Sequence, residues 1–376
     1  MTPYYENNNG KLYNCDVLDG LRSLEDNSVD LCVTSPPYWG LRDYGVDGQI
    51  GLEPDFNDFL KKLCEIFAEV YRVLKPEGNL YVNMGDSYSA GGGNRKPNQQ
   101  GYNSCVGSSI DANAPKQRAC FNLPAKNLMG QPWRLAFALQ GFAVMPFKTI
   151  SEYADMLAEA RHIQDWSVVE LVESLMRKWV FLDELSKFGW LREEIIWYKH
   201  PCMPENIADR CVRAHEYIFH FTKSAKYYFE QILEPAISYD SNLRNRDESK
   251  LNNTPGRTRM GGLTHNMYEF RNKRSVWQVA PCKLKEAHFA TFPKDLIAPI
   301  IQAACPQGGL VLDIFSGSGT TAVVAELFQR QWLLFELNPA YCDIAQRRIE
   351  SGDSLGKTKE PEGLTIMDFL AEEVKA

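Results

Sequence analysis

Residues Gly308 to Pro339 read GGLVLDIFSGSGTTAVVAELFQRQWLLFELNP, and the order of patterns in that stretch decides the fold class. Gly309 to Phe315 is apolar enough for a buried strand. Gly317 and Gly319 follow as a tight turn, Thr320 to Gln329 carries helical spacing, and Trp332 to Glu336 is a second apolar strand. Strand, glycine turn, helix, strand is the repeating unit of a parallel α/β sheet. Glycines in such a turn let the backbone approach a ligand, and the helix N-terminus behind them favours an anionic group. Glu336 closes the second strand, where an acid can accept both ribose hydroxyls of an adenosine-type cofactor. Ala322 stands where the third glycine of G-x-G-x-x-G would be, and no Gly-Lys-Ser/Thr follows, so this is not a P-loop. A glycine turn alone is an ordinary α/β feature. The turn together with Glu336 points to a nucleoside cofactor, and S-adenosylmethionine fits, with its carboxylate near the helix N-terminus and its ribose on Glu336.

The pattern continues outward in both directions without internal repeats. Pro293 to Ala304 and Tyr341 to Glu350 read as helices flanking the glycine unit. Upstream, Lys11 to Cys15 and Asp30 to Thr34 are strand candidates. Phe56 to Leu74 is a helix stopped by Lys75-Pro76-Glu77-Gly78, and Leu80 to Asn83 is the next strand. Gln131 to Leu139 is helical, and Glu194 to Tyr198 and Glu216 to Thr222 resemble strands. Three segments interrupt the alternation: a Gly/Asn/Ser-rich loop insertion over 87–123, an acidic helical insertion over 151–188, and a polar, basic stretch over 239–274. A polar tail, 351–376, follows the last helix.

Composition bounds the class. The chain has 376 residues, 44% of them hydrophobic, enough for a sizeable core. No run approaches the length of a membrane span and Met1 to Gly10 is polar, so a soluble cytoplasmic protein is expected. A net charge of −7 argues against a uniformly basic nucleic-acid binder. The basic residues are concentrated, however: Asn242 to Arg274 holds eight Lys/Arg against three acids, and Gly91 to Leu128 five against one. Such loops can grip a polyanion locally, or can simply be solvated. The 10 cysteines contain no Cys-x-x-Cys. The grouping of His200, Cys202, Cys211 and His215 matches no standard zinc spacing, and no metal is expected.

A second stretch carries the chemistry. Val33 to Gly45 reads VTSPPYWGLRDYG, a rigid Pro-Pro corner directly after an apolar strand, with a hydroxyl before it and aromatics behind it. An exocyclic amine on a nucleobase is a poor nucleophile because its lone pair is delocalised into the ring. Acceptors on its two hydrogens localise that lone pair, and Ser35 Oγ and the Pro36 carbonyl are suitable acceptors. Proline donates no backbone N–H, so Pro36-Pro37 presents carbonyls in a fixed direction. Tyr38 can stack on the flat base. Aligning the amine with a sulfonium methyl gives direct transfer by positioning. The base must leave a duplex first, at a cost of about a few kcal/mol.

The two stretches together resemble the DNA amino-methyltransferases, which methylate exocyclic amines with S-adenosylmethionine. Ser35-Pro36-Pro37-Tyr38 matches the catalytic Asp/Asn/Ser-Pro-Pro-aromatic motif. Asp313-Ile314-Phe315-Ser316-Gly317-Ser318-Gly319-Thr320 matches the cofactor motif Asp-x-Phe-x-Gly-x-Gly-Thr. The order, catalytic motif first, is that of the β subgroup, whose target-recognition region lies between the two. The resemblance implies a Rossmann-like methyltransferase fold: a doubly wound, mostly parallel sheet with one antiparallel strand, cyclically permuted in sequence. The catalytic domain would be discontinuous, residues 1–238 and 275–350, around a recognition region at 239–274. Cofactor contacts are implied for Asp16, Phe292, Pro293, Asp313, Phe315, Gly317, Gly319, Thr320 and Glu336. Arg244, Arg246, Arg257, Arg259, Arg271 and Lys273 become candidates for binding double-stranded DNA. β-type relatives are often dimers, so a homodimer is a further expectation. No nuclease motif is visible, so a restriction partner does not follow from the sequence, and a cognate restriction enzyme is only a candidate partner. A serine before Pro-Pro goes most often with cytosine N4 in this family and an aspartate with adenine N6. Cytosine N4 is therefore expected, with adenine N6 the alternative. Rival readings are methylation of RNA or of a protein glutamine, a non-catalytic DNA-binding module, and a nicotinamide-dependent oxidoreductase. The motif order opposes the glutamine enzymes, and the oxidoreductase leaves the Pro-Pro corner unexplained.

Overall fold

The computed structural model describes residues 1–89, 126–140, 158, 161–162, 189–202, 204–235, 270–281 and 292–352. Most of the loop insertion, the acidic insertion and the tail lie outside these residues, as do Arg244, Arg246, Arg257 and Arg259. In chain order the elements are β1 (Tyr5–Asn7), β2 (Gly10–Asn14), α1 (Val17–Arg22), β3 (Val29–Thr34), α2 (Phe56–Val73), β4 (Leu74–Met84), α3 (Gln131–Leu139), β5 (Trp190–Tyr198), β6 (His215–Thr222), β7 (Leu233–Pro235), β8 (Phe270–Asn272), β9 (Val276–Gln278), α4 (Lys294–Ala304), β10 (Leu310–Asp313), α5 (Thr320–Leu327), β11 (Gln331–Glu336) and α6 (Pro339–Glu350).

Nine strands form one sheet in the order β1-β2-β11-β10-β3-β4-β6-β5-β9. The strands from β2 to β4 in this order pair in parallel. β6 runs antiparallel between β4 and β5, and β9 returns parallel to β5. The antiparallel strand expected within the sheet is therefore β6; the three-residue edge strand β1 adds a second, against β2. The central strands are apolar because both faces are covered: every residue of β3 but Asp30 is buried, as are Val311, Leu312 and Asp313 of β10. The sheet is closed by both ends of the chain, since β10 sits between β11 and β3, and β2 pairs with β11.

α2 forms because Asp55 caps its N-terminus, accepting from Asn57 N at 2.7 Å, and because Phe56, Phe59, Leu60, Leu63, Phe67 and Val70 make one buried stripe. Arg72 in its last turn reaches the carbonyls of Leu21 (2.8 Å) and Leu24 (2.9 Å) and ties the helix to the end of α1. The expected stop at Lys75–Gly78 is displaced. α2 ends at Val73 and β4 begins at once, with Val29 opposite Leu74 and Leu31 opposite Asn79. Residues 75–78 are the bulge between those pairs. Pro76 has no N–H to give a ladder, so the strand bows there rather than ending. α3 has no side-chain cap of its own; Asp86, just past β4, accepts from Gly130 N and Gln131 N, both at 3.0 Å, and fills that role.

The chain divides into two units, one of Met1–Glu230 and Ser275–Lys357, the other of Gln231–Arg274 and Thr358–Ala376. In the second, β7 and β8 pair antiparallel, and Arg271 Nε meets Glu234 Oε1 at 2.9 Å. Arg271, expected as a DNA contact, thus has its guanidinium engaged by a carboxylate on the neighbouring strand. Among the described residues no helix is long and apolar enough to cross a membrane.

Candidate active site

The chain leaves β10 toward β11 on one side and leaves β3 toward β4 on the other, so the strand order reverses between the parallel neighbours β10 and β3. Ligands of open α/β sheets bind beyond the carboxyl ends of the strands at such a point. A cavity of about 190 Å³ lies there. Its walls come from the segment after β3, the glycine turn after β10, the end of β11, and Trp197, Lys199 and Glu216 from the β5–β6 side.

Most of the expected site residues converge on this cavity: Asp16, Ser35, Pro36, Pro37, Tyr38, Phe292, Phe315, Gly317, Thr320 and Glu336 all line it. Three do not. Asp313 is 0% exposed and lies beneath the turn. Its carboxylate accepts from Thr34 Oγ1 (2.8 Å), Thr321 Oγ1 (2.6 Å) and Phe315 N (3.2 Å). It clamps β10, β3 and α5 together from beneath the turn. Burial pushes the Asp313 carboxyl up to about 6, against the pull of those three hydrogen bonds. Gly319 caps α5 with φ +75°, and a Cβ there would meet Ala345 Cβ at 2.8 Å, so this glycine serves helix packing. Pro293 is the buried N-cap of α4.

The turn is held from two sides. Glu336 Oε2 accepts from Gly317 N and Oε1 from Asn338 N, both at 2.8 Å. Its carboxyl is pushed up to about 6, chiefly by burial. From below, Arg348 of α6, 3% exposed, donates to Ser318 O (2.8 Å) and Thr320 Oγ1 (3.0 Å). Arg348 reads in the sequence as one more charge in the last turn of a helix, and only the fold shows it under the glycine turn. Asp16 caps α1 through Leu18 N at 2.8 Å while facing the cavity.

The two aromatics after Pro-Pro separate. Trp39 is buried edge-on against Phe56 at 5.7 Å and donates to Glu53 O at 2.9 Å, which anchors the corner to α2. Tyr38 stays in the cavity wall and donates to Glu216 Oε2 at 3.0 Å. Burial is the main reason its phenol lies well above its ordinary range, with the Glu216 charge second. After Gly40 the chain wraps over the cavity to Gly51, placing Leu41, Tyr44, Val46 and Ile50 in the wall. Tyr44 meets Tyr341 of α6 edge-on at 6.3 Å. Glu216, Lys199 and Asn83 belong to the site but were not legible as such, because each falls inside or beside an ordinary strand pattern. Among the described residues no group of three or more His, Cys, Asp or Glu could hold a metal ion. His215, from the grouping considered above, sits edge-on to Tyr217 at 5.3 Å.

This strand order, with one antiparallel strand set into a parallel sheet, is that of the Rossmann-like methyltransferases. The chain belongs to the amino-methyltransferase family of DNA methylases: a family model described as DNA methylase matches residues 29–347. It is 37% identical over 351 residues to the type II methyltransferase M.Cfr9I of Citrobacter freundii, covering 93% of this chain and 90% of that one. It is 38% identical over 347 residues to M.XycI of Xanthomonas campestris pv. cyanopsidis, covering 91% and 88%. Among solved structures, the PvuII DNA methyltransferase (cytosine-N4-specific) matches with a TM-score of 0.53 at 19% identity, covering 95% of this chain and 90% of that one. The family uses S-adenosylmethionine as methyl donor, and the cavity suits it. The turn at Gly317 leads into the N-terminus of α5 at Thr320, which favours a carboxylate, and Glu336 offers acceptors for ribose hydroxyls. Ser316 Oγ is buried with no hydrogen-bond partner among the described residues, a polar atom left for a ligand to satisfy.

Proposed function

We propose that this protein methylates the exocyclic N4 amine of cytosine at a specific site in duplex DNA, with the target base flipped out of the helix. The observation that carries the reading is the convergence of the Ser35-Pro36-Pro37-Tyr38 corner and the Gly317–Glu336 cofactor features on one cavity. S-adenosylmethionine, when bound, supplies an electrophilic methyl group. The chain's own residues supply position. Ser35 Oγ and the Pro36 carbonyl accept the two N4 hydrogens and turn the lone pair out of the ring plane, while Tyr38 supports the base. The cavity wall is largely apolar and excludes water from the amine. Phe292 and Phe315 flank the donor, Asp16 accepts from its adenine amine, and Glu336 holds its ribose. Residues 239–274 read the target sequence, with Arg244, Arg246, Arg257, Arg259 and Lys273 toward the phosphates. Serine ahead of Pro-Pro supports cytosine, and so does the specificity of the PvuII enzyme whose fold this chain shares. A neutral hydroxyl and a carboxylate both accept an amine hydrogen, so adenine N6 is the second reading.

The test is transfer of a labelled methyl group into unmethylated duplex DNA, followed by nucleoside analysis. N4-methylcytosine is the expected product. N6-methyladenine would overturn the base assignment and leave the family intact. Retained cofactor binding with no methylated base would overturn DNA as the substrate.

A further inference from the structure

Lys199 follows β5 directly, its backbone N–H donating to Ala214 O at 2.8 Å. Its side chain is 16% exposed, bonds Glu216 Oε1, and holds its ammonium 4.3 Å from the centre of the Trp197 ring. Glu216, 6% exposed, turns its other oxygen to Tyr38 OH (3.0 Å) and Asn83 Nδ2 (3.3 Å). These groups line the same cavity as Ser35. Taking two charges out of water costs about as much as their attraction returns, so this pair is a weak source of stability. An apolar pair would serve the fold as well, and the reason for the charges lies in what the cavity receives.

Of the groups gathered around Glu216, Lys199 keeps N–H donors to spare. Both Glu216 oxygens accept from protein groups. The Asn83 amide donates to Glu216 and to Tyr217 O at 3.1 Å, and the Tyr38 hydroxyl donates to Glu216. An ammonium carries three N–H groups, and Glu216 is its one hydrogen-bond partner among the described residues. A flipped cytosine whose N4 hydrogens are taken by Ser35 and Pro36 still presents N3 and O2 on the same edge. Both are acceptors that need donors once they leave water. We infer that Lys199 Nζ donates to cytosine N3, the ring acceptor next to the target amine, with Glu216 fixing the ammonium in place. This inference rests on the reading of the cavity as a cytosine site. The contact rejects thymine, whose N3–H would face the ammonium, and guanine, whose N1–H would do the same. Adenine N1 is an acceptor and passes this filter, so the contact reads hydrogen-bond polarity rather than ring size. Donation to N3 draws electron density from the ring, so its benefit falls on base binding and selection.

The experiment uses the full-length protein and duplexes carrying its methylated site, found by mapping wild-type product. The target is cytosine in one duplex and 3-deazacytosine, with C–H in place of N3, in the other. Lys199→Met is expected to lower single-turnover transfer to cytosine about 10- to 100-fold, the range of a hydrogen bond from a charged donor. S-adenosylmethionine affinity, read without DNA, should be unchanged. The wild type should lose a similar factor on 3-deazacytosine, and Lys199→Met should lose nothing further there. Equal losses by Lys199→Met on both bases, or full activity on cytosine, would overturn the inference. Should Lys199→Met fold poorly with an unpaired buried carboxylate, the Lys199→Met/Glu216→Gln pair carries the same comparison. A wild type that makes N6-methyladenine and no N4-methylcytosine fails the cytosine reading before any variant is made, and overturns this inference with it.

Discussion

Ser35 and Glu336 line one cavity; in the proposed function they act on different molecules, and their variants should separate. Ser35→Ala removes an acceptor aimed at the amine, a contact that matters most as the lone pair localises. Loss of one such positioned group costs about 10²- to 10³-fold in turnover. Cofactor affinity should stay within about twofold, since Ser35 holds no part of the donor; full activity in Ser35→Ala would remove the polarising role. Glu336 should show the reverse and add a pH signature. Its carboxyl is pushed up to about 6, mainly by burial. Ribose hydroxyls need the ionised form as acceptor, so ligand and proton compete for it. Affinity for S-adenosylmethionine should be full above that value and fall about tenfold per pH unit below it. Glu336→Gln should bind more weakly at neutral pH and lose that slope. Calorimetric titration across the weakly acid range measures both, and an unchanged slope in the variant would move the titrating group elsewhere.

At the scale of elements, the clamp under the glycine turn makes its own prediction. Asp313 is charged at neutral pH against the cost of burial, and the hydroxyls of Thr34 and Thr321 offset that cost. Its raised pKa means that the folded chain binds the proton more tightly than the unfolded one. The favourable contribution is present below the ordinary carboxylate range and is lost as pH rises through about 6. Thr321→Val removes a hydrogen bond that favours the charged form, at a cost of about 1–3 kcal/mol. The loss should be larger at neutral than at acid pH when read by urea unfolding. Gly319→Ala should also destabilise, by about 1–3 kcal/mol, because φ is +75° and the new methyl meets Ala345. The unit carrying this clamp was legible in the sequence: β10, α5 and β11 fall within two residues of their expected ends, β2, β3, α2 and α4 within one, and α3 on its expected bounds. Long apolar periods and a glycine turn leave few alternatives there. β1, β7, β8 and β9 were not legible, because three-residue strands exist only through the edges they join. The bracing role of Asp313 was hidden for a related reason. A carboxylate ahead of a glycine turn looks like a ligand contact, and only the parallel register of β10 on β3, Leu312 opposite Cys32, brings Thr34 to it. Glu216 read as a strand residue and Lys199 as the residue after one, because the antiparallel pairing of β5 with β6 that joins them is tertiary, with no local signal.

For the whole molecule, the permuted order means that neither end of the chain owns the sheet. The N-terminal part carries β2, β3 and β4 but lacks the two strands between β2 and β3. The C-terminal part carries β10 and β11, whose outer neighbours are β3 and β2. A cut between Asn252 and Asn253 falls outside the described residues and breaks no described pairing, yet it places the Pro-Pro corner and the glycine turn on separate chains. Each fragment alone should fail to fold, because β3 and β10 would expose buried edges and Asp313 would lose Thr34. Expressed together, the fragments should associate through the parallel pairings of β10 with β3 and of β11 with β2. They should then recover S-adenosylmethionine binding at near wild-type affinity, since the cavity walls fall on both fragments and the cut touches none of them. Co-purification with a cofactor titration reads this directly. An N-terminal fragment that folds cooperatively by itself would show that β2 and β3 do not need β10 and β11 between them. Recovered cofactor binding without DNA methylation would assign the intact 239–274 connection to target recognition rather than to the fold.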